Sequence, residues 1–260
     1  MRIGYIAYIL SLVGFCVCGP GYAGLQGVNQ SDEHDSTNSS LTYSAPSRDI
    51  SKFVKPENPP KYFAIDIDGT LLAKNKEGWE RNIEAFAKAR EMGYTPFLCT
   101  GNSFGRSMSK LGQEFIERTG YKGYPGVYLH GIQIYDSDGN RLKPKYNVPT
   151  FLLWIKSAIL VEIMGRFICS TFMGKWLSNS VCSINKATGI KDLMKPLGVP
   201  PEQCGFIGND WNDIQAMDFC DISFAVGNAP DYVKKHAKVV LDKTCDEGAV
   251  AEALQLTYGF

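Results

Sequence analysis

The sequence predicts an α/β fold, a parallel sheet covered by helices on both faces. Three observations predict it. Short continuous apolar runs bounded by Gly and Pro recur from Lys61 onward, as strands buried on both faces do. Helix-length stretches with apolar residues at helical spacing alternate with those runs. Polar, glycine-containing text follows three of the strands, where reactive groups gather in such sheets.

In order, Tyr62-Phe63-Ala64-Ile65 is a buried strand between prolines and Gly69. Trp79, Ile83, Phe86 and Ala87 share one helical face, and Gly93 stops that helix. Pro96 to Cys99 is a second strand, Phe104 to Thr119 a helix and Gly126 to His130 a third strand. Ile132 to Tyr135, a turn over Asp136 to Asn140, and Arg141-Leu142 read as a hairpin. Thr188 to Leu197 suits a helix with Pro196 near its end. Strands at Gln203–Ile207, Ile222–Val226 and Lys238–Leu241 then alternate with helices at Asn212–Phe219, Pro230–His236 and Glu247–Leu256.

The 260 residues balance 27 Lys+Arg against 27 Asp+Glu, so no basic excess exists to displace counterions from a nucleic acid. A hydrophobic fraction of 44% is ordinary globular composition, enough for one sizeable core with room for an insertion. Arg2 precedes an uncharged apolar run, Ile3 to Val17. It falls short of the roughly 20 residues of a membrane span. It suits a signal peptide over 1–23, cleaved after Ala23 in Gly21-Tyr22-Ala23; an uncleaved anchor is the alternative, and either directs the chain into the secretory pathway. Residues 24–60, rich in Ser, Thr and Asn and punctuated by prolines, read as a disordered linker with acceptor sequons at Asn29 and Asn38. Cys99, Cys169, Cys182, Cys204, Cys220 and Cys245 form no C-x-x-C pair and read as buried thiols, with disulfides the other reading.

The chemistry sits at strand ends. Asp66 and Asp68 are two apart straight after a strand, and two carboxylates so close repel unless a cation lies between them. Asn209, Asp210 and Asp213 add oxygens from another strand end, a hard donor set suited to Mg²⁺. A carboxylate there can act as nucleophile and its neighbour as general acid and base. Thr100-Gly101 offers a hydroxyl and a backbone N–H to phosphate oxygens. Lys186 can neutralise charge on a transferred phosphoryl group. Each stretch alone is also ordinary turn or capping text; their joint occurrence, in order, points to phosphoryl chemistry.

The same residues carry a resemblance. The chain resembles the haloacid dehalogenase-like hydrolases, and within them the Cof-type sugar-phosphate phosphatases, over about Lys61 to Leu256. Asp66-Ile67-Asp68-Gly69-Thr70-Leu71 matches the first family motif, Thr100-Gly101 the second, Lys186 the third and Gly208 to Asp213 the fourth. Leu129-His130-Gly131-Ile132 resembles the N-G-A signature that leads into the cap. The resemblance implies a three-layer Rossmann-like parallel sheet, with core segments 61–131 and 183–260. A shortened α+β cap at 132–182 is inserted between the second and third motifs. It implies Asp66 as nucleophile, Asp68 as general acid/base, and Thr100, Gly101, Lys186 and Asn212 as phosphate ligands. Mg²⁺ would be held by Asp66, the Asp68 carbonyl, Asn209 and Asp213.

The chain departs from the family at named positions. Asn209 stands where the fourth motif carries its first Asp, which removes an anionic ligand. Asn102 stands where Arg follows Thr-Gly, with Arg106 in reach of the same place, and His130 replaces the Asn of N-G-A. The interval 131–185 is short for an α/β cap. Its apolar stretch Phe151 to Met173 is broken by Lys156, Glu162 and Arg166, so it reads as a cap helix rather than a membrane span. The expected function is a Mg²⁺-dependent phosphatase for small phosphorylated metabolites such as sugar phosphates, with no nucleic-acid partner and no stable membrane span after signal cleavage. The alternative is a secretory pseudo-phosphatase that binds without turnover. A phosphomutase is disfavoured by the short cap.

Overall fold

The computed structural model describes residues 50, 53–142 and 184–260. The expected leader, most of the linker, the apolar cap stretch, Cys169 and Cys182 lie outside the described residues. Among the described residues, an eight-stranded sheet forms the middle layer. Its strands are β1 (Tyr62–Ile65), β2 (Thr95–Cys99), β3 (Gly126–Tyr128), β4 (Gln133–Tyr135), β5 (Arg141–Leu142), β6 (Gly205–Gly208), β7 (Ile222–Ala225) and β8 (Val239–Val240). They lie in the order β5-β4-β3-β2-β1-β6-β7-β8.

From β3 through β8 the neighbours run parallel. The β3–β4 and β4–β5 pairs are antiparallel. The hairpin read in the sequence therefore extends the edge of the main sheet, although the sequence places its residues with the cap. Its turn is closed by Asp136, whose Oδ1 accepts the N–H of Asp138 at 3.0 Å and of Asn140 at 2.8 Å. Such an Asx turn is what Asp-Ser-Asp-Gly-Asn favours.

Helices α1 (Lys76–Glu91), α2 (Phe104–Thr119), α3 (Lys186–Met194), α4 (Ile214–Phe219), α5 (Asp231–Lys234) and α6 (Ala249–Tyr258) cover the sheet. Their starts follow capping chemistry. Asn75 accepts the Gly78 N–H at 2.8 Å, and Asn185 and Thr188 form a reciprocal box ahead of α3. Pro196 lies just past α3, in a short 3₁₀ turn, as its missing N–H requires.

The central strands β1 and β6 are buried along their whole length. Phe63 stacks near Phe224 and meets Tyr258 edge-on, while Trp79, Phe86, Phe115 and Tyr121 pack together between α1, α2 and the loop that follows. Buried Asn82 ties three elements together. Its amide donates to the Leu71 carbonyl at 2.9 Å and accepts from the Ala251 N–H at 3.0 Å. Residues 53–60, assigned to the linker by composition, approach this core: Phe53 tilts against Phe224, and the Tyr258 hydroxyl donates to the Pro60 carbonyl. Cys99, Cys204, Cys220 and Cys245 are buried free thiols.

Candidate active site

The ends of β1, β2 and β6 meet above the sheet in a pocket of about 130 Å³, lined by Asp66, Asp68, Thr100, Gly101, Asn102, Asn209, Asp210 and Asn212. Asp66 is still in register with the sheet, its N–H donating to the Ile207 carbonyl at 3.1 Å. The chain then turns tightly. Leu71 N–H donates back to the Asp66 carbonyl at 3.2 Å and Leu72 N–H to that of Ile67 at 3.0 Å. The β1 strand ends at Ile65 with Asp66 still extended, and the turn that begins at Ile67, not strand alternation, brings both carboxylates to one pocket.

The floor is a buried ion triad. Lys186 Nζ is fully buried and donates to Asp66 Oδ1 at 2.5 Å and to Asp213 Oδ1 at 2.6 Å. A lysine in the first turn of a helix opposes the helix dipole, so only the paired carboxylates make this position tolerable. Asp213 Oδ2 accepts the N–H groups of Asn209 at 2.9 Å and Asp210 at 3.1 Å. Asp213 therefore orients the fourth-motif loop and the lysine, and its carboxylate is turned to them rather than into the pocket. Burial lifts the Asp66 carboxyl, Lys186 pulls it down and Asp213 pushes it up, with a net rise to about 7. Burial works against the Lys186 ammonium, but the two carboxylates outweigh it and hold that pKa above its ordinary value.

The rim is a second, half-exposed cluster. Asp68 Oδ1 accepts from Lys110 Nζ and Oδ2 from Asn102 Nδ2, each at 2.5 Å. Burial would raise the Asp68 carboxyl, yet these two donors and the charge of Arg106 hold it below the usual range. Asn102, which stands in place of the family Arg, is thus a donor to the candidate acid/base. Lys110 was not singled out in the sequence. The available signal was its spacing, one turn beyond Arg106 on the same helix face.

The second-motif loop is fixed from below. Thr100 N–H donates to the Val127 carbonyl at 2.9 Å, and the Thr100 hydroxyl accepts from Asn102 N–H at 3.1 Å. Leu129 and His130 both adopt left-handed backbone, with φ of 49° and 55°, a costly conformation for non-glycine residues. The turn they make returns two N–H groups to this loop, Leu129 to the Asn102 carbonyl and His130 to the Thr100 carbonyl. The imidazole of His130 lies against Gly101, where any Cβ would come within 2.6 Å of the ring. Burial, then the nearby Lys186 ammonium, lowers the His130 pKa to about 4, so the ring is neutral at pH 7.

Among the described residues no group of three or more His, Cys, Asp or Glu converges on a metal-sized point. A mixed oxygen set does converge. One end of the Asn209 amide lies 3.2 Å from Asp66 Oδ2, 2.9 Å from the Asp68 carbonyl oxygen and 3.2 Å from the Thr70 hydroxyl. Ligands about 2.1 Å from a Mg²⁺ are about 3.0 Å apart along an octahedral edge. With its oxygen turned inward, Asn209 is therefore spaced from Asp66 Oδ2 and from the Asp68 carbonyl as neighbouring Mg²⁺ ligands are, though the set carries one formal negative charge.

The description haloacid dehalogenase-like hydrolase attaches to a family profile that matches residues 63–146 and 164–254. A phosphoglycolate phosphatase of Methanothrix thermoacetophila is 28% identical over 211 residues, covering 71% of this chain and 91% of that one. A 3-deoxy-D-manno-octulosonate 8-phosphate phosphatase of Haemophilus influenzae is 44% identical over 69 residues, but the match spans only 38% of its length and 26% of this chain. Among solved structures, a HAD/COF-like hydrolase from Plasmodium vivax superposes with a TM-score of 0.63 at 24% identity, covering 76% of this chain and 95% of that chain. A Bacteroides thetaiotaomicron phosphatase of the same superfamily gives 0.56 at 18%, covering 78% and 98%. Those two likenesses carry the fold; the profile match, running through all four motifs, carries the family. The chain belongs to the haloacid dehalogenase-like hydrolases.

Proposed function

We propose that the protein is a phosphatase that hydrolyses small phosphorylated metabolites through a phospho-Asp66 intermediate. The observation that carries this reading is the pair of unlike carboxylates at one pocket. Asp66 is buried at the floor and held by Lys186, whereas Asp68 stands at the rim between Asn102 and Lys110. One is placed to attack and the other to move protons.

In the first step an Asp66 oxygen attacks phosphorus and the P–O bond to the ester oxygen breaks. Asp68, in its protonated form, gives that leaving oxygen its proton. In the second step Asp68, now a carboxylate, takes a proton from water as the water oxygen attacks phosphorus. The P–O bond to Asp66 then breaks, releasing inorganic phosphate and regenerating the aspartate. Thr100, the Gly101 N–H, Asn212 and Lys186 would hold the phosphoryl oxygens. Asp66, the Asp68 carbonyl and Asn209 would hold a Mg²⁺, with Asp213 behind them fixing the loop. Bound there, the ion would offset phosphoryl charge and favour the ionised form of Asp66.

The pocket volume of about 130 Å³ suits a phosphoryl-sized group. The names of the relatives, phosphatases of phosphoglycolate and of a sugar-acid phosphate, favour small phosphorylated metabolites. The apolar run Ile3 to Val17 supports entry to the secretory pathway. A second reading, a binding protein without turnover, rests on the missing charge at Asn209.

The test is hydrolysis of an aryl phosphate, phosphoglycolate and a panel of sugar phosphates by the full-length protein, with Mg²⁺ or with chelator. Metal-dependent turnover that Asp66→Asn abolishes is expected. A folded protein inert across the whole panel would favour the binding protein.

A further inference from the structure

We infer that Asn209 serves this site in two orientations, one amide end closing it without a metal and the other completing a Mg²⁺ cradle. The inference rests on the proposed cation site but not on turnover. It starts from an unusual fit. The amide end that faces the pocket meets three oxygens, Asp66 Oδ2 at 3.2 Å, the Asp68 carbonyl at 2.9 Å and Thr70 Oγ1 at 3.2 Å. A carbonyl and an ionised carboxylate can only accept hydrogen bonds.

Two chemistries satisfy that geometry. With Nδ2 inward, the amide donates to Asp66 and to the Asp68 carbonyl and replaces a cation by hydrogen bonds. With Oδ1 inward, the Asn209 oxygen lies 3.2 Å from Asp66 Oδ2 and 2.9 Å from the Asp68 carbonyl oxygen, both close to the about 3.0 Å between neighbouring ligands of a Mg²⁺. The two ends of an amide have nearly the same shape, so a half-turn about the last side-chain bond exchanges them; without a cation only the Nδ2-inward orientation satisfies both ends, because the opposite one turns the NH2 toward donors. Gly69 leaves room for the amide's other end, since an added Cβ there would come within 2.5 Å of it. The Gly69 carbonyl is itself fixed by a 2.9 Å hydrogen bond from Asn228 Nδ2.

Aspartate, the residue the family carries here, can do only the second job. Its carboxylate has no donor, so without metal it would face Asp66 Oδ2 as a like charge. Asn209 therefore exchanges metal affinity for a site that is stable when empty, and makes occupancy depend on the prevailing Mg²⁺ concentration.

The experiment compares full-length wild type, Asn209→Asp and Asn209→Ala by thermal unfolding in EDTA and across a Mg²⁺ titration, with affinities from calorimetry. In EDTA, Asn209→Asp should melt about 4 °C or more below wild type. Mg²⁺ should bind it at least tenfold more tightly and erase that deficit. Asn209→Ala should melt low in EDTA and gain little from Mg²⁺. Equal melting of wild type and Asn209→Asp in EDTA would overturn the donor role. Equal Mg²⁺ affinities, or a wild type unresponsive up to about 20 mM Mg²⁺, would overturn the ligand role. An intact Mg²⁺ response without turnover would instead sink the phosphatase reading and leave this inference standing.

Discussion

The site contains two lysine–carboxylate pairings built to different ends. At the floor, Lys186 lies between Asp66 and Asp213 with essentially no exposure on any of the three. At the rim, Lys110 meets Asp68 while half of the Asp68 side chain remains open to solvent. The distances are alike; the surroundings are not. Desolvating three charges costs several kcal/mol per ion and is offset only if all three remain together. A half-exposed pair contributes roughly 0–1 kcal/mol and can be remade as ligands come and go. The floor is thus a fixed frame that presents one nucleophile, and the rim is an adjustable contact on the group that must change protonation during turnover.

The largest effect that would separate the two regions comes from Lys186→Met. It leaves two buried carboxylates facing each other without a cation, which should cost about 3–5 kcal/mol in urea unfolding and abolish turnover. A loss below about 1 kcal/mol would show that the floor is not the frame described here.

Next in size is a pH effect just beside the floor. His130 is neutral when folded, with its pKa lowered to about 4, against about 6.5 when unfolded. The unfolded chain therefore takes up the proton first as pH falls. The stability is fully present above about 6.5 and is lost progressively down to about 4. From pH 7.5 to pH 5 this should cost wild type about 2 kcal/mol, a loss that His130→Asn should not show. Asparagine also tolerates the left-handed backbone better. Parallel pH profiles for the two proteins would contradict the assignment.

The smallest effect belongs to the rim. Lys110→Met should change stability by less than about 1 kcal/mol and lower kcat roughly tenfold, with KM nearly unchanged. Because Lys110 helps to hold the Asp68 carboxyl below its usual range, and Asp68 must carry the proton it gives to the leaving oxygen, its removal should also move the basic limb of the rate profile to higher pH. An unshifted limb would make Lys110 a bystander.

The sequence shows these two regions unequally. Asp66 and the fourth-motif loop lie at strand ends and Lys186 at a helix start, so all three were readable from local pattern. The role of Asp213 was not. Its carboxylate looks like a metal ligand in one dimension, but the tight turn after β6 bends it back onto the N–H groups of Asn209 and Asp210. The rim is a meeting of side chains 42 positions apart, Asp68 with Lys110, and no local periodicity encodes such a pair. The hairpin at Gln133 to Leu142 was legible as a hairpin, but its membership in the main sheet depends on pairing with β3. The left-handed pair Leu129-His130 was marked only as a resemblance to the N-G-A signature; His favours that backbone and Leu does not, so the conformation itself was not legible.

The most direct measurement is chemical trapping of the acyl phosphate. Borohydride added during turnover of the full-length protein reduces an aspartyl phosphate to homoserine, and peptide mass spectrometry locates the change. Homoserine at position 66, dependent on substrate and absent from Asp66→Asn, is the predicted result. Turnover with homoserine at position 68, or at neither position, would contradict the assignment of Asp66 as the nucleophile.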